Sequence, residues 1–273
     1  MRSNSANGIA VTKTPSYVKG SAVNVPILTY HSIDDSGSII STAPSVFQRQ
    51  MKYLKNAGYE ALTLGEMADR QKKGAPLSGK IVVLTFDDGF RNFYTQAFPV
   101  LSDHNFSATV FLVTDFCGGH NDWSENPKKL LRSELLDWKE IRELNGAGIE
   151  FGSHTKTHPD LTRLSTNDMT TEMLDSKAKI SDALGRNVST FAYPYGRSND
   201  KVRRIALENF DASCSTNLGM VSAGHDRASL NRIDTYYLSN QRLFEMLPTA
   251  AFNNYLFFRR AMRKVRSVLA SAG

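Results

Sequence analysis

Cysteine is scarce in this chain. Cys117 and Cys214 are the only two in 273 residues, too few for a disulfide framework and wrongly spaced for a paired zinc site. Both read as ordinary buried or half-buried thiols. Long apolar runs are missing as well: no stretch of about 18 apolar residues occurs, so no transmembrane helix is expected. The first 24 residues hold no apolar run suited to a secretion signal, and polar or small residues dominate, as in Ser3-Asn4-Ser5-Ala6-Asn7. The expected location is therefore cytoplasmic, with the inner face of the membrane as a further option. Acid is absent from both ends. Residues 1–33 carry Arg2, Lys13 and Lys19, and residues 246–273 carry Arg259, Arg260, Arg263, Lys264 and Arg266, with no Asp or Glu in either stretch.

That distribution decides how the charge is read. A formal net charge of +6, from 33 Lys and Arg against 27 Asp and Glu, would point towards nucleic acid. The ends hold eight of those bases, so the 25 left in the body are outnumbered by its 27 acids and the body carries −2. No nucleic-acid partner is expected. A hydrophobic content of 41% over this length is enough for a sizeable core and excludes disordered and collagen-like classes. No repeat of solenoid length appears. The organisation expected is a flexible basic segment over 1–22, a barrel domain over 23–245, and a basic amphipathic helix over 246–273.

The body repeats a short apolar run, a polar turn and a helical pattern. Strands are expected at Val25–Tyr30, Glu60–Thr63, Ile81–Phe86, Ala108–Val113, Ile149–Ser153, Thr190–Tyr193, Ala212–Thr216 and Asn231–Asp234. Ile81-Val82-Val83-Leu84-Thr85-Phe86 is a continuous apolar, β-branched run of the kind buried on both faces. Helices are expected at Ser45–Asn56, ended by Gly58, and near Leu135–Asn145, Asn167–Leu184 and Lys201–Asn209. Thr63-Leu64-Gly65-Glu66 is a capping box opening another helix. Seven or eight βα units give an α/β class, and that number favours a closed (β/α) barrel over a doubly wound sheet. Thr114–Arg132 reads as a long loop on one face, a length often tied to function.

Polar clusters sit where expected strands end: Tyr30-His31, Asp87-Asp88-Gly89, His154 with His158, and Pro194-Tyr195-Gly196. In a barrel all strand C-termini open on one face, so these clusters would meet around one mouth. Two adjacent carboxylates after a buried strand repel each other and call for a cation. Neighbours at a strand end point in different directions, so one can ligate a metal while the other stays free as a base. The alternative is that either Asp caps a helix beginning near Phe90. His154 and His158, four residues apart, can place both rings on one cation, and with Asp88 they would leave coordination positions open for water.

Thr85-Phe86-Asp87-Asp88-Gly89 together with Ser153-His154-Thr155-Lys156-Thr157-His158-Pro159 resembles the first two motifs of the NodB-like polysaccharide deacetylases, carbohydrate esterase family 4. The resemblance runs from about Val25 to Asp234. It implies a distorted (β/α)7-8 barrel of NodB-homology type and metal-dependent hydrolysis of N-acetyl groups on the amino sugars of a polysaccharide, oligosaccharide or lipid-linked glycan. It implies Asp87 as general base and Asp88, His154 and His158 as ligands of a divalent metal, usually zinc. Phe191-Ala192-Tyr193-Pro194-Tyr195-Gly196 resembles the third motif, whose backbone N–H at Tyr195 would help hold the oxyanion. That motif usually carries an Arg near the position of Ala192, and none is present; nor does an Asp-x-x-Asp-Trp follow it. Asp137-Trp138 lies before the histidines and reads as a helix start. Arg232 is the candidate replacement for the missing Arg. The usual late Leu-x-Ile-His is also missing, since Leu230-Asn231-Arg232-Ile233 ends in Asp234. Tyr30-His31-Ser32-Ile33 instead resembles the N-terminal signature of poly-N-acetylglucosamine deacetylases, in which the acid motif lies at the start of the chain. His31 is then the general acid for the leaving amine, or else a structural His.

Trp123 is a candidate sugar-stacking wall or a packing residue. Tyr255, Phe258, Met262, Val265 and Leu269 recur every three or four residues and predict one apolar stripe among the five basic residues. Such a helix covers the barrel or an oligomer partner, or lies peripherally on an anionic membrane. Two other functions remain open at this point: a glycan-binding relative without turnover, and a non-haem Fe(II) oxygenase, which uses the same ligand types.

Overall fold

The computed structural model describes residues 24–271 apart from 76, 78, 125–129, 223 and 248, with side chains as far as Met262. The expected flexible segment over 1–22 lies outside the described residues. In chain order the elements are β1 (Ile27–Tyr30), β2 (Ser32–Ile33), β3 (Ser41–Thr42), α1 (Pro44–Asn56), β4 (Glu60–Leu62), α2 (Leu64–Lys72), β5 (Ile81–Phe86), α3 (Phe98–Asp103), β6 (Thr109–Leu112), α4 (Trp138–Gly146), β7 (Glu150–Ser153), α5 (Thr166–Leu184), β8 (Thr190–Ala192), α6 (Asp200–Asn209), β9 (Ala212–Leu218), β10 (Leu230–Asp234), α7 (Gln241–Phe244) and α8 (Ala250–Ser271).

All sheet pairings are parallel. The order β1-β10-β9-β8-β7-β6-β5 closes on itself through pairing of β1 with β5, giving a seven-stranded barrel. β4 is the distortion. It pairs with β5 at Ile81–Val83, while β6 takes the same strand at Thr85 and Phe86. A strand has two edges and β1 occupies one, so β4 and β6 share the other, β4 below and β6 above.

Side-chain alternation sorts the residues into two layers. Ile27, Ile81, Val83, Phe111, Ala192, Cys214 and Leu230 fill the lumen. Leu28, Val82, Leu84, Phe86, Val110, Phe151 and Ile233 face outward under the helices. The helices have local causes as well. Thr63 caps α2 in a reciprocal box with Glu66, and Asp137 caps α4 in the same way with Glu140. Gly58, at φ +77°, terminates α1.

The segment after β5 departs from expectation. The helix considered near Phe90 begins at Phe93 as one wide turn over Phe93–Ala97 that leads into α3, with a bond from the Phe98 N–H to the Phe93 carbonyl. Pro99 has no N–H to offer Thr95, which removes one rung of a regular helix there. The C-terminal helix also differs. Its Phe252 and Leu256, outside the expected stripe, are buried in the outer core with Leu247, whereas Phe258 and Met262 of that stripe are 62% and 41% exposed. Val265 and Leu269 lie beyond the described side chains. Among the described residues no helix is long and apolar enough to cross a membrane.

Candidate metal centre and active site

The period-two alternation that fills the lumen also builds the site above it. On β1 the series Ile27, Thr29 ends at His31. On β5 the series Ile81, Val83, Thr85 ends at Asp87. On β7 Glu150 and Gly152 lead to His154, and on β10 Leu230 leads to Arg232. The lumen is tight at Gly152, where a Cβ would meet the Phe111 ring and the Thr190 hydroxyl at 2.6 Å. The chemistry-bearing residues are therefore the top layer of the barrel lumen.

Asp88, His154 and His158 are buried, and one donor atom from each falls within 4.8 Å of the others. The Nε2 atoms of both histidines lie 3.5 Å from Asp88 Oδ1. That is too long for an ordinary hydrogen bond. It suits side chains that would share one cation between them. A carbonyl can only accept, so His154 Nδ1 carries a proton donated to the Ala192 carbonyl at 2.7 Å. This leaves Nε2 as the free lone pair and fixes the ring. Burial, with His154 beside it, pushes the His158 imidazole well below its ordinary pKa, into the neutral form that ligates. Burial also raises the Asp88 carboxyl, so its charged form needs a cation nearby. The donor set fits a divalent metal.

Asp87, beside that cluster, is held by a different partner. Arg232 grips it in a fork, Nη1 to Oδ1 at 2.6 Å and Nη2 to Oδ2 at 2.7 Å, and Arg232 Nε is itself fixed on the Ser215 carbonyl at 2.9 Å. Burial alone would raise the Asp87 carboxyl, but the guanidinium, with His154 and His31, outweighs it and holds the group well below the usual carboxylate range. His31 Nε2 stands 3.9 Å from Asp87 Oδ2 on a half-buried ring. The segment after His31 is pinned by Asn92, which accepts from Ile33 N at 3.1 Å and donates to Ser32 Oγ at 2.6 Å.

The loops that carry these groups hold unusual backbone. Among described non-glycine residues, five have positive φ, and four of them are Asp88 (+71°), Thr155 (+72°), His158 (+61°) and Tyr195 (+57°). Such conformations cost free energy and gather at functional sites. Gly89 follows at φ +74°, with Leu112 Cδ2 2.8 Å from where a Cβ would stand. Pro194 opens the tight turn Pro194–Gly196, and the Tyr195 ring meets His158 edge-on at 4.6 Å. Arg197 lies over the Tyr195 ring and donates to buried Asp160 at 2.6 Å.

Two expectations change. Trp123 is not an exposed sugar wall: it is 5% exposed, tilted against His158 at 4.7 Å and edge-on to Phe116. Its bulk supports a metal-site histidine. Neither Asp87 nor Asp88 caps a helix, because the turn at Phe93 has no side-chain cap. The Ala192 carbonyl, Asn92 and the Asp160–Arg197 pair carried no sequence motif of their own.

A family profile described as polysaccharide deacetylase matches residues 74–209. The chain is 29% identical over 210 residues to YxkH of Bacillus subtilis, covering 77% of this chain and 70% of that protein. It is 33% identical over 172 residues to the poly-beta-1,6-N-acetyl-D-glucosamine N-deacetylase of Staphylococcus aureus, covering 59% of this chain and 55% of that one. It spans 20% of the Escherichia coli protein of the same name. Among solved structures, the Streptococcus pyogenes deacetylase PplD in complex with acetate aligns with a TM-score of 0.69 and 32% identity, over 78% of this chain and 93% of that one.

Proposed function

The chain belongs to the polysaccharide deacetylase family, and from that premise we propose that it is a metal-dependent hydrolase removing N-acetyl groups from the amino sugars of a glycan. The observation that carries this reading is the adjacency of two differently treated carboxylates: Asp88 facing two imidazoles, and Asp87 held by Arg232 beside His31. Asp88, His154 and His158 would hold a divalent cation, zinc by its preference for such donors, which would supply polarisation of the acetyl carbonyl and acidification of the attacking water.

Asp87 accepts the proton of that water as its oxygen bonds to the carbonyl carbon. The Arg232 fork keeps the acceptor ionised and aimed, at the expense of basicity, so the water must be acidified first. The Tyr195 N–H donates to the developing oxyanion. His31 then protonates the amine nitrogen as the C–N bond breaks, giving acetate and a free amino sugar. The Ala192 carbonyl holds the His154 ring through each step.

With Arg232 in place of the family's usual third-motif Arg, Asp87 has the partner that a turnover site needs, which supports catalysis over a binding-only relative. Family membership leaves the Fe(II) oxygenase alternative without support. The test is acetate release from N-acetylglucosamine oligomers by metal-stripped and zinc-reloaded protein. Release restored by zinc and lowered at least about 10²-fold by His31→Ala supports the proposal. Glycan binding without acetate from zinc-loaded protein overturns it.

A further inference from the structure

We propose that α8 from Phe257 onward is a membrane-surface element that docks the enzyme on an anionic lipid bilayer. The argument starts from which face the barrel takes. Phe252 and Leu256 are buried and Tyr255 is half-buried, so the first turns of α8 pack on the outer core through that side. Arg259 is held there too, its guanidinium 4.3 Å from the centre of the Tyr237 ring. The other side is left bare: Phe257 is 73% exposed, Phe258 62% and Met262 41%. Few large apolar side chains are so exposed anywhere else among the described residues, and here three fall within six positions. In sequence the spacing from Phe258 to Met262 continues through Val265 and Leu269, and the helical backbone runs on to Ser271.

Charge selects the occupant. From 246 onward the chain carries five bases and no acid, and among the described residues neither Arg259 nor Arg260 meets a carboxylate. Arg260 borders a cavity of about 350 Å³ with Thr216, Asn217, Leu218 and Asn231. A second copy of α8 would set five bases against five. The N-terminal stretch is basic as well, with Arg2, Lys13 and Lys19 and no acid before Asp34. Both self-partners are repelled. Nucleic acid would satisfy the charge but leave the aromatic side chains in water. An anionic bilayer meets both needs: headgroups for the cations, and an acyl boundary for Phe257, Phe258 and Met262. The helix is too charged to span, so it lies along the surface. This inference does not depend on the catalytic reading.

The test is co-sedimentation of the full chain with vesicles of phosphatidylcholine alone or containing about 30% phosphatidylglycerol. Binding at least about tenfold stronger to the anionic vesicles is expected. Neutralising Arg260, Arg263, Lys264 and Arg266 together to Gln should weaken it about 10²-fold or more, since each cation is worth about fivefold. Phe257→Ser with Phe258→Ser should weaken it about tenfold even where salt has removed the charge contribution. Circular dichroism and zinc binding identify any variant that fails to fold, and the two variants fail for different reasons. Equal binding to both vesicle types, or no response to either variant in folded protein, overturns the proposal. So does duplex DNA binding indifferent to the Phe substitutions, or a concentration-dependent dimer that those substitutions abolish.

Discussion

Arg232 and Asp87 come from strands 145 positions apart and meet with side chains only 2% and 5% exposed. Taking two charges out of water is costly, and the fork with its extra bond to the Ser215 carbonyl offsets that cost. Removing one partner leaves the other buried and unpaired. Arg232→Met should therefore destabilise the protein by about 3–5 kcal/mol in urea unfolding, while the double variant Asp87→Asn with Arg232→Met should recover most of the loss. A single variant as stable as the parent would show that the pair carries no coupling. Asp87-Asp88 and the His154/His158 pair were legible in the sequence because each is contiguous or nearly so. Arg232 was legible only as a cation near the last strand. What identifies it is the lumen series Leu230–Arg232 set beside Ile81–Asp87, a signal that exists only once both strands are known to face one lumen. Trp123 stayed open between a wall and a packing residue in the sequence, because a loop's sequence does not show which ring it covers.

The elements themselves were mostly readable where one local cause dominates. β5 falls on the apolar run that predicts it, and the Thr63 and Asp137 starts follow from capping chemistry. Where tertiary context decides, the sequence is less informative: the two-residue strands β2 and β3 carry no periodic signal, the Pro99 segment opens as a wide turn, and the covered face of α8 depends on where the barrel lies. Asp137 gives a test at this scale. It accepts from Lys139 N and Glu140 N, so Asp137→Ala should cost about 1 kcal/mol, seen as a lower melting temperature, with acetate release unchanged at moderate temperature. Loss of turnover at unchanged stability would place Asp137 in the site instead of at a helix end.

At the scale of the molecule, the barrel has a chemical top and a structural floor. Glu150 begins the β7 series that ends in His154. It accepts from Thr109 Oγ1 at 2.6 Å and Gly65 N at 3.1 Å, beside a cavity of about 370 Å³. Burial raises its carboxyl above the ordinary range. A folded-state pKa above the unfolded one means stabilisation that is present at low pH and lost as pH rises through the folded value. The stability of Glu150→Gln relative to the parent should therefore improve from pH 5 towards pH 8, by thermal unfolding at each pH. A pH-independent difference would show that Glu150 is solvated. The central claim is the division of labour between Asp87 and Asp88, and zinc content with acetate release, measured on the same samples of Asp87→Asn and Asp88→Asn, tests it most directly. Asp87→Asn should keep its zinc and lose turnover at least about 10²-fold, whereas Asp88→Asn should lose both. Full turnover in Asp87→Asn, or undiminished zinc in Asp88→Asn, would contradict the account.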